Sequence, residues 1–309
     1  MPDPGELAEV LRRSRGWLAV EGTRPSATLR TALQSLFGAW ACDRGLREEE
    51  PSEELRLLTD RALEQLDREG AGFDGYSYDP KLLLLCLRVF AQDGRDAPAI
   101  RTCADSIAST LASLPRIPAR HAGTAAMLDE LGYPGIALDL RLDEPSVDEL
   151  LRLGPEAVRA ACSAVAAWTH FGARQLEGLR FEALRRVLPV ILLQSLRSHD
   201  LDTAAMLLRT SRYLRMRPSR QLEEGISFLV DQQKSDGRFG YFAVEASKLS
   251  GSDELVGFDE ISTLYLPVTV TCTWAVAELV TGGCLLFGRP GDRPRDRIVP
   301  ESQMPSYAS

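Results

Sequence analysis

The sequence lacks the residue patterns that bind structural or catalytic metals. It has three histidines, His121, His170 and His199, and none pairs with another at the spacing that a helix or loop needs to hold zinc. Its six cysteines lie singly, mostly in apolar stretches such as "KLLLLCLRVF", and no Cys-x-x-Cys occurs. We therefore expect no metal and no cofactor, and we interpret the cysteines as reduced, buried side chains.

The sequence also lacks an excess of positive charge. Its formal net charge is −8 at pH 7, so the mean field repels nucleic acids and anionic membranes, and neither is the expected partner. Lysine occurs only at Lys81, Lys234 and Lys248, a bias toward arginine that suggests a GC-rich bacterial genome. The basic cluster at 208–220, "LRTSRYLRMRPSR", has apolar residues at helical spacing, and we interpret it as the solvated face of an amphipathic helix.

Several other signals of location and chemistry are missing. The N-terminal stretch "MPDPGELAEVLRRSRGW" has acids where a signal peptide has bases. The most apolar stretch, 265–288, carries alternating threonines and Glu278, so we interpret it as a buried inner helix rather than a membrane span, in a cytoplasmic protein. Glycine-rich phosphate loops and Gly-x-Ser-x-Gly elbows do not occur.

What the sequence has in abundance is helical periodicity. Apolar residues recur at intervals of three and four, as in "LRLLTDRALEQLD" and "RFEALRRVLPVILLQSL". Starts such as "SATLRTA", "PSEELRLL" and "PSRQLEEG" place capping residues before the first turn. We predict an all-α fold of paired helices, with one domain over 1–288 and a Pro-rich, charged tail over 289–309. The composition shift at 138–145 does not divide it, because both halves have the same pattern.

One stretch carries a family resemblance. "FLVDQQKSDGRFGYF" resembles the glutamine-rich turn of the terpenoid cyclase and protein prenyltransferase superfamily, and "FDEISTLYLPVTVTCTWAVAELV" is similar to the inner helix that follows it. The match covers about one repeat, 222–280. It implies an α/α toroid of inner and outer helices, with an open α-solenoid as the rival fold. The turn itself we interpret as a clasp between helix pairs, with Gly237 supplying a positive φ.

The resemblance also implies a chemistry. The acid signature of cyclases that begin by protonation is similar to "GFDE", with Gly257 where the signature has its first acid, so Asp259 takes the position of the proton donor and Glu260 lies beside it. The competing interpretation is that both carboxylates stabilise the first turn of a helix. Asp-rich metal motifs and the zinc ligands of prenyltransferases are absent.

Two functional hypotheses therefore stay open. In the first, the protein is a cofactor-independent, acid-assisted cyclase or isomerase of an apolar natural product, with Asp259 and Glu260 as catalytic residues. In the second, it is a non-catalytic protein that binds a hydrophobic small molecule or a partner protein in the same cavity or on its concave face. For both, the expected ligand-binding residues are aromatic and hydroxyl side chains near the inner helix: Tyr241, Tyr265, Thr269, Thr273 and Trp274.

Overall fold

A computed structural model describes residues 2–115, 117–118, 121–133, 147–152, 154–176, 181–240, 258–283 and 285–286. These residues form α-helices joined by turns and by two short 3-10 helices, Gly70–Gly72 and Gly75–Ser77. No strand occurs in these ranges. The all-α fold predicted from the sequence is confirmed. The proposed tail at 289–309 and the composition shift at 138–145 lie outside the described residues.

The α-helices have the following bounds in chain order: α1 Pro4–Thr23, α2 Leu29–Leu46, α3 Glu53–Glu69, α4 Pro80–Gln92, α5 Pro98–Ala112, α6 Ala122–Glu130, α7 Val147–Arg152, α8 Gly154–Trp168, α9 Glu182–Arg197, α10 Leu201–Tyr213, α11 Arg220–Asp231 and α12 Phe258–Thr281.

Helix starts follow from local capping chemistry. Thr28, Ser52 and Ser219 precede α2, α3 and α11, and each side-chain oxygen accepts the backbone N–H of the residue three positions on. Such a bond satisfies one of the N–H groups that the first turn leaves without an intrahelical partner. The starts predicted from "SATLRTA", "PSEELRLL" and "PSRQLEEG" are therefore confirmed.

The even-numbered helices form a continuous series of contacts. α2 contacts α4, α4 contacts α6, α6 contacts α8, α8 contacts α10, and α10 contacts α12. α12 also packs against α2, so the series returns to the helix at which it began. The odd-numbered helices α3, α5, α7, α9 and α11 each pack against even-numbered neighbours or against each other, and α1 packs on α2, α3 and α12.

The contact between α2 and α12 is close. A Cβ atom placed on Gly45 of α2 would lie 2.9 Å from Cβ and 3.0 Å from Cα of Ala277 on α12. About two helical turns before Gly45 on α2, the Phe37 ring meets the Trp274 ring edge to face, with 4.9 Å between centroids. The N-terminal helices and the C-terminal helix thus share one core, in which Phe37 and Ala277 are buried.

α12 is the most apolar helix of the described chain. Its segment Leu264–Thr281 is long and apolar enough to cross a membrane, by length and composition alone, and 56% of that segment is buried inside the protein. This is weak evidence for a membrane span, because the core helix of a soluble protein has the same properties.

Candidate functional site

A cavity of about 320 Å³ lies between the even-numbered helices. All six of them contribute to its wall, together with Asp79 before α4 and Phe171 after α8. Its apolar lining includes Phe37, Leu82, Leu85, Met127, Cys162, Ala166, Phe171, Met206, Pro267, Val270 and Trp274. Its polar and charged lining includes Gln34, Asp79, Lys81, Ser163, Asp202, Arg209, Thr210, Tyr213 and Thr271.

The cavity is lined by solvent-exposed residues at one end and by buried residues at the other. Asp79 and Asp202, at the N-terminal ends of α4 and α10, are exposed and half-buried respectively, whereas Leu85 and Arg209, further along the same helices, are buried. We call Asp79 and Asp202 the mouth. A ligand that enters there passes from solvated carboxylates to an apolar interior.

The closed end is built around a buried ion pair. Arg209 Nε on α10 donates to Glu278 Oε2 on α12 at 3.0 Å, and the two side chains are 9% and 0% exposed. Tyr213 Oη donates to the same carboxylate at 2.8 Å and accepts from the Arg209 guanidinium at 2.7 Å. Trp274 Nε1 donates to Glu278 Oε1 at 2.9 Å. We call Arg209, Tyr213, Trp274 and Glu278 the floor cluster.

Arg209 stays charged in the protein interior because its partners in the floor cluster offset the cost of its burial. Burial opposes the charge of Arg209, but Glu278 and Tyr213 outweigh that effect, and the pKa of Arg209 is raised. Burial, with the Glu278 carboxylate, raises the pKa of Tyr213 well above its usual value, so the phenol stays protonated and donates. The cluster therefore holds the Arg209 guanidinium and the hydrogen-bonded rings of Tyr213 and Trp274 at the inner end of the cavity.

Aromatic rings cover this cluster. The Arg209 guanidinium carbon lies 3.2 Å from the centroid of the Trp274 ring, a cation–π contact. Phe171 stacks against Trp274 with 6.4 Å between centroids, and Phe37 meets it edge-on. The inner end of the cavity therefore presents π faces to a ligand, and their apolar area favours binding of an apolar group.

Lys81 is the second cation in the wall. It lies in the first turn of α4, is half-buried, and its Nζ contacts Ser163 Oγ on α8 at 3.5 Å. Burial lowers the pKa of Lys81, and the positive charge of Arg209 lowers it further, although Asp79 opposes both.

Of the ligand-binding residues predicted from the sequence, Trp274 lines the cavity. Tyr265, Thr269 and Thr273 are buried at intervals of four on α12 and therefore share a different face. Tyr265 Oη accepts from Lys234 Nζ at 3.2 Å, and Thr269 Oγ1 accepts from the Phe239 N–H at 3.0 Å. Thr273 Oγ1 has no hydrogen-bond partner in the described chain.

The remaining predicted residues are described only in part or not at all. Asp259 and Glu260 lie in the first turn of α12, where the helix dipole favours carboxylates, and their side chains lie outside the described part of the structure. Tyr241 also lies outside the described residues. The cavity wall on α12 begins at Pro267, about two helical turns after Asp259.

The glutamine turn joins three helices. Gln233 Nε2, just after α11, donates to the carbonyl of Val10 at 2.8 Å and to Ser14 Oγ at 2.9 Å, both on α1. Gly237 has φ +102°, and a Cβ there would lie 2.0 Å from the Arg13 carbonyl oxygen. The clasp and the positive φ agree with the sequence interpretation. The sequence also suggests that Gln232 or Gln233 satisfies the last carbonyls of the helix that it follows; instead, the Gln233 amide bonds to the Val10 carbonyl and the Ser14 hydroxyl of α1.

Sequence reasoning missed the floor cluster and Lys81. From the sequence, Glu278 argues only against a membrane span, and Arg209 falls within the predicted solvated basic face. In fact Arg209 is buried, whereas Arg212, Arg215 and Arg217 in the same stretch are exposed. The available signal was an acid in the most apolar helix, because a carboxylate at such a position requires a buried cationic or hydrogen-bonding partner.

In the described residues, no group of three His, Cys, Asp or Glu side chains is arranged to hold a metal ion. Cys42, Cys86, Cys162 and Cys272 are buried and free, and Cys103 is free and half-buried.

The comparison with known proteins gives one family. The sequence pattern of the family described as "Domain of unknown function (DUF6895)" matches residues 7–272, which is most of the chain. The chain belongs to this family. No curated protein and no solved structure matches it. The matched range contains Lys81 and Arg209, whereas Trp274 and Glu278 follow its last residue.

Proposed function

We propose that the chain is an α/α toroid whose central cavity binds a small, largely apolar molecule. The observation that carries this proposal is the cavity wall, to which all six even-numbered helices contribute. Their contacts run from α2 through α12 and return to α2. Helices arranged in this way serve as the inner layer of a toroid, and the odd-numbered helices serve as its outer layer.

The contacts between the chain ends favour a toroid over an open solenoid. In an open solenoid each repeat contacts its sequence neighbours, and the first and last repeats lie apart. Here Gly45 packs against Ala277, and Phe37 meets Trp274. Gln233, near the C-terminal end of the fold, donates to Val10 of the first helix.

The cavity suits a small ligand in size and in chemistry. Its volume of about 320 Å³ falls within the range of about 300–1,000 Å³ that is usual for small-molecule sites. Apolar and aromatic side chains form most of its interior, and a few polar groups, such as Lys81 and Thr271, are placed to orient a ligand. Burial of the apolar part of a ligand contributes roughly 25 cal/mol per Å².

Binding is preferred over acid-assisted cyclisation on electrostatic grounds. Cyclisation started by protonation passes through carbocations, and two cationic side chains, Lys81 and Arg209, lie in the cavity wall. A positive intermediate is repelled by Lys81, which has no carboxylate within 4.0 Å in the described chain. The acid of the floor cluster, Glu278, is committed to Arg209.

The cyclase remains a second proposal, because the rings of Phe37, Phe171 and Trp274 line the cavity and aromatic faces stabilise cations. In that case Asp259 donates the proton, with Glu260 beside it. Asp259→Asn then abolishes conversion of a polyene substrate without weakening binding of the neutral probe described next. Retention of full conversion by Asp259→Asn excludes this role for Asp259.

The binding proposal is tested with 1-aminoanthracene, a neutral aromatic fluorophore whose emission rises in apolar surroundings. We expect saturable binding with a one-to-one stoichiometry. Thr271→Trp places a large ring in the cavity and should abolish binding, whereas Leu264→Trp adds the same ring at an exposed position of the same helix and should leave it intact. Equal binding by the wild type and Thr271→Trp would contradict the proposal.

A further inference from the structure

Of the two cations in the cavity wall, Lys81 is the one that the fold holds less firmly. Its Nζ has one hydrogen-bond partner in the described chain, Ser163 Oγ at 3.5 Å, and no carboxylate there lies within the 4.0 Å of an ion pair. By contrast, Arg209 in the same wall is held by Glu278 and Tyr213. A half-buried amine at a ligand-sized cavity, without a structural partner that holds it, is available for a ligand.

The carboxylates at the mouth are engaged with other groups. Asp79 is the N-cap of α4, and its Oδ1 accepts the backbone N–H of Lys81 at 2.9 Å. This hydrogen bond turns the Asp79 carboxylate toward the helix end. Asp202 lies 3.9 Å from Arg159 Nε, outside the cavity. Neither forms an ion pair with the Lys81 ammonium.

The cavity wall beside Lys81 is formed by Gly123 and Ser163. Gly123 on α6 has no side chain, and a Cβ there would lie 3.5 Å from Lys81 Cε and 3.9 Å from Nζ. The same Cβ would lie 3.1 Å from Ser163 Oγ. Gly123 and Ser163 thus flank the end of the lysine chain, and all three residues line the cavity.

We infer that Lys81 forms an imine with an aldehyde or ketone bound in this cavity. This inference rests on the proposed binding function and names the ligand class. The amine nitrogen attacks the carbonyl carbon, a C–N bond forms, and the carbonyl oxygen takes up a proton. Loss of that oxygen as water, with a proton from nitrogen, gives the C=N bond, so the products are the imine and one water molecule. The step needs no oxidant or reductant.

The surroundings of Lys81 favour this reaction over simple ion pairing. Desolvation of an amine near a second cation increases the fraction of neutral, nucleophilic amine. Burial and Arg209 act on the pKa of Lys81 in this direction. The ligand's apolar body then occupies the space before Trp274, Phe37 and Phe171, while its carbonyl carbon lies at Lys81.

The scarcity of lysine makes the test specific, because the sequence holds only Lys81, Lys234 and Lys248. The full chain is incubated with octanal and sodium cyanoborohydride, which reduces an imine to a stable octyl amine, and the sites are mapped by peptide mass spectrometry. We expect at least about tenfold more label on Lys81 than on Lys234 or Lys248. Octanol, which fills the cavity but has no carbonyl, should suppress label at Lys81 and leave label at the N-terminal amine unchanged.

Lys81→Arg is the matched variant, because it keeps the positive charge and removes the nucleophilic amine. We expect it to lose the reducible adduct at position 81 and to keep the wild-type midpoint of thermal unfolding, which shows that the variant is folded. Equal label on all three lysines, or octanol binding without label on Lys81, overturns the imine inference and leaves the binding function standing. Absence of saturable 1-aminoanthracene binding overturns the binding function itself.

Discussion

Arg209 and Glu278 form an ion pair in which the side chains are 9% and 0% exposed, and this pair connects α10 to α12 beneath the cavity. The carboxylate also accepts hydrogen bonds from Tyr213 and Trp274. The pair therefore has two effects: it fixes the ring of Trp274 at the inner end of the cavity, and it commits the buried acid beneath the cavity to a structural role.

Removing the charge of Glu278 should destabilise the fold strongly. Glu278→Gln leaves Arg209 as a buried, unpaired cation, and we expect the free energy of unfolding to fall by about 3–5 kcal/mol, measured by denaturant titration. The double variant Arg209→Met with Glu278→Gln should be more stable than Glu278→Gln alone, because no unpaired charge stays buried. Glu224→Gln, in an exposed pair with Arg220, is the control and should have little effect. Wild-type stability of Glu278→Gln would show that the pair is not formed.

The two glutamines of the turn should differ in importance. Gln233→Ala removes the amide that donates to Val10 and Ser14 of α1, and we expect a loss of about 1–3 kcal/mol, because these buried acceptors lose their donor. Gln232 makes no side-chain hydrogen bond in the described chain, so Gln232→Ala should change stability little. The measurement is the denaturation midpoint of both variants. Equal effects would mean that the clasp does not depend on Gln233.

Two glycine-to-alanine substitutions test the contact between α2 and α12. Gly45→Ala places a Cβ against Ala277, which α2 and α12 can accept only by moving apart, and we expect a loss of about 1–3 kcal/mol from overpacking. Gly16→Ala on α1 meets nothing within 4 Å and should raise stability by about 0.5–1 kcal/mol through helix propensity. Thermal melting of both variants checks the contrast. A stabilising Gly45→Ala would show that α2 and α12 are not in close contact.

Much of the fold could be predicted because its signals are local. Capping residues such as Ser52 and Ser219 mark helix starts within a few positions, and Gly237 is required by the geometry of its own turn. The partner of Gln233 could not be predicted, because the amide bonds to α1 more than two hundred residues away in sequence. No local sequence pattern specifies a contact between residues so far apart in the chain.

The candidate site, too, could be predicted from the sequence only in part. The sequence indicated that α12 lines a cavity, and Trp274 does so. Alternating threonines obscured which face is inward, because period two spreads them around a helix of about 3.6 residues per turn. Thr271 lines the cavity, whereas Thr269 and Thr273 do not. Arg209 and Lys81 belong to other helices, and only the packing of α4, α10 and α12 brings them together.

We propose that the even-numbered helices enclose a ligand site, and a crystal structure of the protein with 1-aminoanthracene bound tests this most directly. We expect electron density for the fluorophore inside the cavity, with its rings against Trp274, Phe37 and Phe171, α2 packed on α12, and Lys81 in the wall. Density for the fluorophore only on the outer surface, with the cavity filled by side chains or with α2 and α12 apart, would contradict it.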